Sequence, residues 1–159
     1  MIRFALILIL LAAPLTASAD IVGKARAVDG DTLDMAGTLV HLYAIDAPEE
    51  TQTCAAAGKT WHCGREATFA LAAEAGDHWI TCKVMETLAP DRFNAICYAG
   101  PYDLGTIMIR RGLALARPEI SARYVEEERL ARTDRRGVWK GDVIAPWEWR
   151  VGKRFGARD

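Results

Sequence analysis

Three things are missing from this sequence, and each narrows what it can be. No linker, internal repeat or low-complexity tract divides its 159 residues, so the roughly 140 that follow the N-terminal apolar segment suffice for one domain with its own core. No apolar run is long enough to cross a bilayer: the one over residues 4–13 is short and is followed by Pro14 and Thr16. Charge of either sign is not in excess. A formal net charge of −1 gives by itself no electrostatic case for a polyanionic partner.

What is present begins with Arg3, the apolar stretch, and small residues at Ala17 and Ala19. That pattern reads as a secretory signal over residues 1–19, with Asp20 as the new N-terminus and 20–159 as one exported domain, secreted or periplasmic. No cysteine closely follows the apolar run, so a lipid anchor is not supported. All four cysteines, Cys54, Cys63, Cys82 and Cys97, fall in the exported part, where thiols oxidise, and two disulfides are expected. A zinc site using His62 is disfavoured because C-x-x-C spacing is absent.

The balanced net charge hides an asymmetry. Residues 20–106 are acidic, whereas from Arg110 onward arginine dominates, through Arg117, Arg123, Arg132 and Arg136 to Arg150 and Arg154. An acidic half beside a basic half fits a metal site next to a polyanion-binding surface. Charge alone favours the simpler reading of a solvated helix face, since Glu126, Glu127 and Glu128 lie among the arginines.

Alternation of apolar and polar residues predicts strands over 21–28, 32–35 and 38–45, with Gly37 at a turn. Residues 46–61 read as a loop containing Pro48 and Gly58. A helix is expected over 64–76, with Ala67, Leu71 and Ala75 on one face and Gly76 as its stop. Two strands then flank "LAPD". If Ala89 and Pro90 centre that hairpin, facing residues have numbers summing to 179, which pairs Cys82 with Cys97 and leaves Cys54 for Cys63. Two further helices are expected, one with Asp103 as N-cap and Gly112 as stop, the other starting at Ser121. Five short strands and about three helices, strands mostly first, indicate an α+β domain on a small antiparallel barrel.

Two acidic clusters, Asp29, Asp31 and Asp34, then Asp46, Glu49 and Glu50, bracket an apolar strand that carries His41. The motifs "DGDT" at 29–32, "IDAPE" at 45–49, Asp91-Arg92, "RRGLA" at 110–114 and "GVW" at 137–139 resemble, in kind and order, the staphylococcal nuclease (thermonuclease) family. The resemblance covers nearly the whole exported chain. It implies an OB-type five-stranded β-barrel with three helices, and a Ca²⁺-dependent nuclease that hydrolyses DNA and RNA to leave 3′-phosphate ends. On that basis Asp31 and Asp46 and the backbone carbonyl of Ala47 are the expected calcium ligands, hard oxygen donors of the kind calcium takes. Asp29 is expected to shape the turn. Glu49 is implied as general base, and Arg92 as the phosphate-binding arginine, a role suited to its paired donors. No membrane partner is expected once the signal is removed, and the chain is expected to act as a monomer.

The chain also departs from that family. On the strand leading to Asp46, relatives usually carry an arginine at the place held here by His41. Imidazole has one donor for a phosphate and is only partly protonated near neutrality, and loss of one such contact commonly costs ~10²- to 10³-fold in rate. Tyrosines that relatives stack on the substrate base are replaced in "LARPEISARY" by Pro118 and Ile120, with Arg117 and Tyr124 near by, and "LAPDRF" lacks a glycine-containing turn. The alternative to a weakened nuclease is therefore a nucleic-acid or other ligand-binding module that has lost turnover.

Overall fold

The computed structural model describes residues 20–155. The expected signal segment, 1–19, lies outside the described residues. The chain enters through two short strands, β1 (Ile21–Gly23) and β2 (Arg26–Ala27), then turns at Gly30 into β3 (Thr32–Met35) and β4 (Thr38–Leu42). The tight turn between β3 and β4 places Ala36 and Gly37 at φ of 54° and 90°, the left-handed geometry that two-residue hairpins need. A two-residue strand, β5 (Ile45–Asp46), leads into the second acidic turn.

The expected loop over 46–61 is corrected in part. Its second half is a hairpin of β6 (Cys54–Ala56) and β7 (Lys59–Trp61), turning through Ala57 and Gly58 at positive φ. These strands are too short and too rich in small and polar residues to show a periodic signal. They are held instead by tertiary contacts: the Cys54–Cys63 disulfide and a backbone bond from Ala55 to the carbonyl of Asp142.

Helix α1 (Cys63–Ala75) buries Ala67, Leu71 and Ala75 completely, the face set by their four-residue spacing. Then come the two long strands, β8 (Ile80–Ala89) and β9 (Arg92–Ala99), and a short β10 (Tyr102–Asp103). Near the base of that hairpin Ile80 faces Ala99 and Cys82 faces Cys97, and the latter pair is disulfide-bonded with Cα atoms 4.0 Å apart. Two register shifts, between Val84 and Glu86 and between Thr87 and Ala89, move the turn. The expected centre at Ala89 and Pro90 is displaced by one residue, because each bulge adds a residue to β8 alone.

Helix α2 (Leu104–Arg110) is capped by Asp103, whose Oδ1 accepts from the backbone N–H of Thr106 at 3.1 Å. After Gly112 the chain forms β11 (Leu115–Ala116), which pairs with β5. Ser121 caps a short 3-10 turn (Ala122–Tyr124) that feeds α3 (Val125–Thr133). A fourth helix, α4 (Pro146–Arg150), was not expected; it starts with proline in its first turn, where a missing N–H costs nothing.

The main sheet is ordered β1-β8-β9-β4-β3-β2, with β10 on β9 and a parallel pairing of β4 with β9. Its outermost strands, β1 and β2, are neighbours in sequence, so the sheet curls. The inner face is filled by Leu33, Val40, Leu42, Ala95 and Cys97 against α1 and α2. Among the described residues the result is a mixed α+β architecture with a curled half-barrel and four helices.

Helix α1 also fixes the second acidic turn. A Cβ on Gly64 would lie 1.6 Å from the carbonyl oxygen of Glu49, so only glycine lets the helix start pack on that backbone. Gly64→Ala is expected to destabilise the fold by about 1–3 kcal/mol, read as a lower urea midpoint. Peptide mapping without reductant should join Cys54 to Cys63 and Cys82 to Cys97; a Cys54–Cys82 peptide would contradict the hairpin register.

Candidate functional site

The hairpin β3–β4 and the turn after β5 enclose a cavity of about 460 Å³. Antiparallel register sets Thr32 opposite His41, and parallel register sets His41 beside Asn94 on β9, so all three point to the same side of the sheet. The cavity is lined by Asp29, Asp31, His41, Asp46 and Glu49, together with Arg117 and Arg150. Five of the six residues singled out from sequence thus sit together: four line the cavity, and Ala47 joins them through its backbone.

Asp31 is the hinge between the two acidic turns. Its Oδ2 accepts from the backbone N–H of Ala47 at 2.7 Å, and its Oδ1 from the hydroxyl of Thr32 at 3.2 Å. Burial, with Asp29 and Asp46 close by, holds its carboxyl well above the usual carboxylate range, against the opposing Ala47 bond. No arginine or lysine pairs with it among the described residues.

Asp46 is treated differently. Its side chain is 6 % exposed and meets two guanidinium groups. Arg150 grips both oxygens, Nη1 to Oδ1 at 3.0 Å and Nη2 to Oδ2 at 2.6 Å, while Arg117 reaches Oδ2 through Nη1 at 3.2 Å. Arg150 also donates from Nη1 to Glu49 Oε1 at 2.6 Å. The Asp46 hydrogen bond above all, then that of Glu49, raises the Arg150 pKa, so its charge is permanent. Arg117 packs over the Trp147 ring, 5.0 Å from its centroid, and its Nε pairs with Glu119.

His41 is half-buried and bonded through Nδ1 to Thr32 Oγ1 at 2.9 Å. The Thr32 hydroxyl lies between Asp31 Oδ1 and His41 Nδ1, and its proton can serve one of them at a time. Burial lowers the pKa of His41 most, Asp29 and Asp46 raise it, and the charge of Arg92 lowers it. The sequence expectation of a partly charged imidazole is thereby narrowed: the neutral ring prevails near neutrality.

Arg92 stands at the start of β9, exposed, opposite Leu39 and two register pairs from His41. It does not line the cavity, and it forms no ion pair among the described residues. Sequence reasoning missed Arg150 as a site residue, counting it only among the basic residues of the second half, and missed Gln52 altogether. Gln52 is fully buried; its Oε1 accepts from the Glu49 N–H at 3.2 Å and its Nε2 donates to the Ile144 carbonyl at 2.7 Å. It therefore ties the Glu49 turn to the chain that enters α4 and carries Arg150. No periodicity or motif marks either residue.

Among the described residues no three His, Cys, Asp or Glu side chains form a metal-binding group on their own. The acids of the cavity nevertheless outnumber its arginines, Asp29, Asp31, Asp46 and Glu49 against Arg117 and Arg150.

Two measurements probe this arrangement. Gln52→Leu leaves the Glu49 N–H and Ile144 carbonyl without their partner, and is expected to cost about 1–3 kcal/mol in urea unfolding. The His41 ring should titrate below its ordinary value of 6.5 by proton NMR. Since the fold favours its neutral form, His41 contributes stability above that value that is lost as pH falls through the lower folded pKa. His41→Gln should flatten that part of the stability profile, and a His41 resonance titrating at or above 6.5 would contradict the buried, neutral assignment.

No protein-family model matches the sequence. The succinoglycan biosynthesis protein ExoI of Rhizobium meliloti (strain 1021) is 31% identical to it over 141 residues, spanning 86% of this chain and 74% of ExoI. At that identity and coverage the chain belongs to the family of ExoI.

Proposed function

We propose that the protein is an exported, Ca²⁺-dependent phosphodiesterase that cleaves DNA and RNA to leave 3′-phosphate ends. The observation that carries this reading is the convergence of Asp31, Asp46, Glu49 and His41 on one cavity from two separate turns and a strand. The fold supports it as well. The sheet that runs from β1 through β8, β9, β4 and β3 to β2 curls into a half-barrel, which is consistent with the OB-type barrel that the nuclease resemblance implies. The two disulfides fit an exported chain, and among the described residues no helix is long and apolar enough to cross a membrane.

The donor set fits a hard divalent cation. Asp31 is an enclosed carboxylate with acidic neighbours and no basic partner among the described residues, a group that needs either a proton or a cation. Asp31, Asp46 and the carbonyl of Ala47 would hold calcium, with water and substrate completing its shell. When bound, the ion would polarise a phosphoryl oxygen as a Lewis acid. Glu49 keeps Oε2 without a hydrogen-bond partner among the described residues and takes a proton from the attacking water. As the new P–O bond forms, the bond to the 5′ oxygen breaks and that oxygen is protonated from solvent. Arg92, on β9 beyond the cavity lining, would steady the phosphoryl charge.

A second reading is a binding module without turnover. It is favoured by the grip of Arg150 on both Asp46 and Glu49, which leaves those carboxylates less available, and by the neutral His41. ExoI is named for succinoglycan biosynthesis, which is compatible with either reading.

Plasmid DNA and RNA incubated with the exported chain separate the two: cleavage in Ca²⁺ that stops in chelator supports the nuclease, and binding without cleavage supports the module. Within the nuclease reading, Glu49→Gln should abolish cleavage and leave nucleotide binding, whereas Asp31→Ala should lose calcium affinity and activity together. Near wild-type cleavage by Glu49→Gln would remove Glu49 from the role. His41→Arg should raise turnover, because it adds a permanent charge and a second donor on the cavity wall.

A further inference from the structure

We propose that Arg150, delivered by the C-terminal helix α4, is a phosphate-binding residue of this site and supplies the cationic contact that His41 does not. This rests on the phosphodiesterase reading and names a further substrate contact for it.

Three observations converge. First, Arg150 is the one side chain among the described residues that bonds both Asp46 and Glu49. Under the proposed chemistry a scissile phosphate must lie between the cation held by Asp46 and the water activated by Glu49, which is within reach of the same guanidinium. Second, Arg150 keeps donors in hand. A guanidinium carries five N–H groups; three hydrogen bonds go to the two carboxylates. The Nε–H and one Nη2–H donate to nothing among the described residues. These two lie side by side on one edge of the group, the fork that matches two phosphate oxygens. Arg117 beside it likewise has Nη2 unengaged. Third, the place where a strand cation would stand is held by an imidazole whose Nδ1 is committed to Thr32. A neutral ring there offers an oxyanion no positive charge.

The carboxylates that hold Arg150 do not cancel this role. Asp46 and Glu49 fix the guanidinium in position before substrate arrives, so little freedom is lost on binding. The cavity acids outnumber its arginines, and a bound divalent cation would offset the excess that otherwise opposes an anion. Gln52 links the Glu49 turn to the segment that delivers Arg150, so the contact depends on a buried tether rather than on a free tail.

The test compares binding of thymidine 3′-phosphate and of thymidine in Ca²⁺ buffer by calorimetry, using the exported chain, with thermal melts to verify folding. The phosphate is a reaction product and is not consumed. Arg150→Gln is expected to weaken thymidine 3′-phosphate roughly 10- to 100-fold, as for loss of a charged hydrogen bond, and to leave thymidine unchanged. Arg150→Lys keeps the charge without the fork, guards against a folding failure of the glutamine variant, and should bind the phosphate with intermediate affinity. In His41→Arg/Arg150→Gln, a guanidinium on the opposite wall should restore much of the phosphate affinity. A residue that only braced Asp46 and Glu49 would lower the melting temperature without a phosphate-specific loss and without that rescue. Wild-type phosphate affinity in a folded Arg150→Lys or Arg150→Gln overturns this inference alone. A wild-type chain that neither binds the nucleotide nor cleaves nucleic acid overturns the phosphodiesterase reading and this contact with it.

Discussion

The site depends on how an acidic corner is kept inside the protein. Asp46 is almost wholly buried, and Asp31 is enclosed a few ångströms of backbone away, joined to it by the Ala47 N–H. Carboxylates cannot be stacked in that way unless donors or cations compensate them. The fold solves the problem unequally. Asp46 receives two arginines from segments about seventy and a hundred residues downstream, whereas Asp31 receives, among the described residues, a backbone amide and a hydroxyl. That difference leaves one carboxylate already neutralised and another in need of a proton or an ion.

Much of the surrounding structure serves to bring those partners in. The pairing of β11 with β5 sets Arg117 beside Asp46, and the Arg117 N–H bonds the Ala44 carbonyl. The Cys54–Cys63 disulfide, the Ala55–Asp142 bridge and the Gln52–Ile144 bond hold the C-terminal segment against the loop that follows the acidic turn. Helix α4 is only five residues long and could not persist on its own propensity. Its position comes from these tertiary ties, which explains how a short terminal element can deliver a site residue.

His41 shows how burial decides what a titratable side chain contributes to a cavity. A histidine in a half-buried wall, bonded to Thr32, is kept neutral by loss of hydration. It is then a hydrogen-bonded wall residue that helps orient Thr32 toward Asp31, not a source of charge. Positive charge in the cavity comes from Arg117 and Arg150, while Arg92 on β9 lies outside its lining. Under the proposed function, charge arriving from a different part of the chain would change the direction from which an anion is held.

Local pattern determined a good deal here. Alternation located β3 and β4, four-residue spacing located the buried face of α1, Asp103 and Gly112 marked the ends of α2, and a register sum paired Cys82 with Cys97, because each of these depends on residues near one another in sequence. The acidic turns were legible for the same reason: Asp31, Asp46, Ala47 and Glu49 lie in two short motifs on either side of one strand. The β6–β7 hairpin, α4, the one-residue displacement of the β8–β9 turn and the roles of Gln52 and Arg150 were not legible. Their causes are long-range: a disulfide, bulges that add residues to one strand only, a buried amide spanning 92 positions, and an arginine pairing with a carboxylate 104 positions away. Sequence by itself marked the two acidic turns, because each is a short local motif, and the family resemblance grouped their carboxylates. Only the tertiary structure decided which cations meet them, because opposite charges in a buried corner select partners by proximity in space, whatever their separation along the chain.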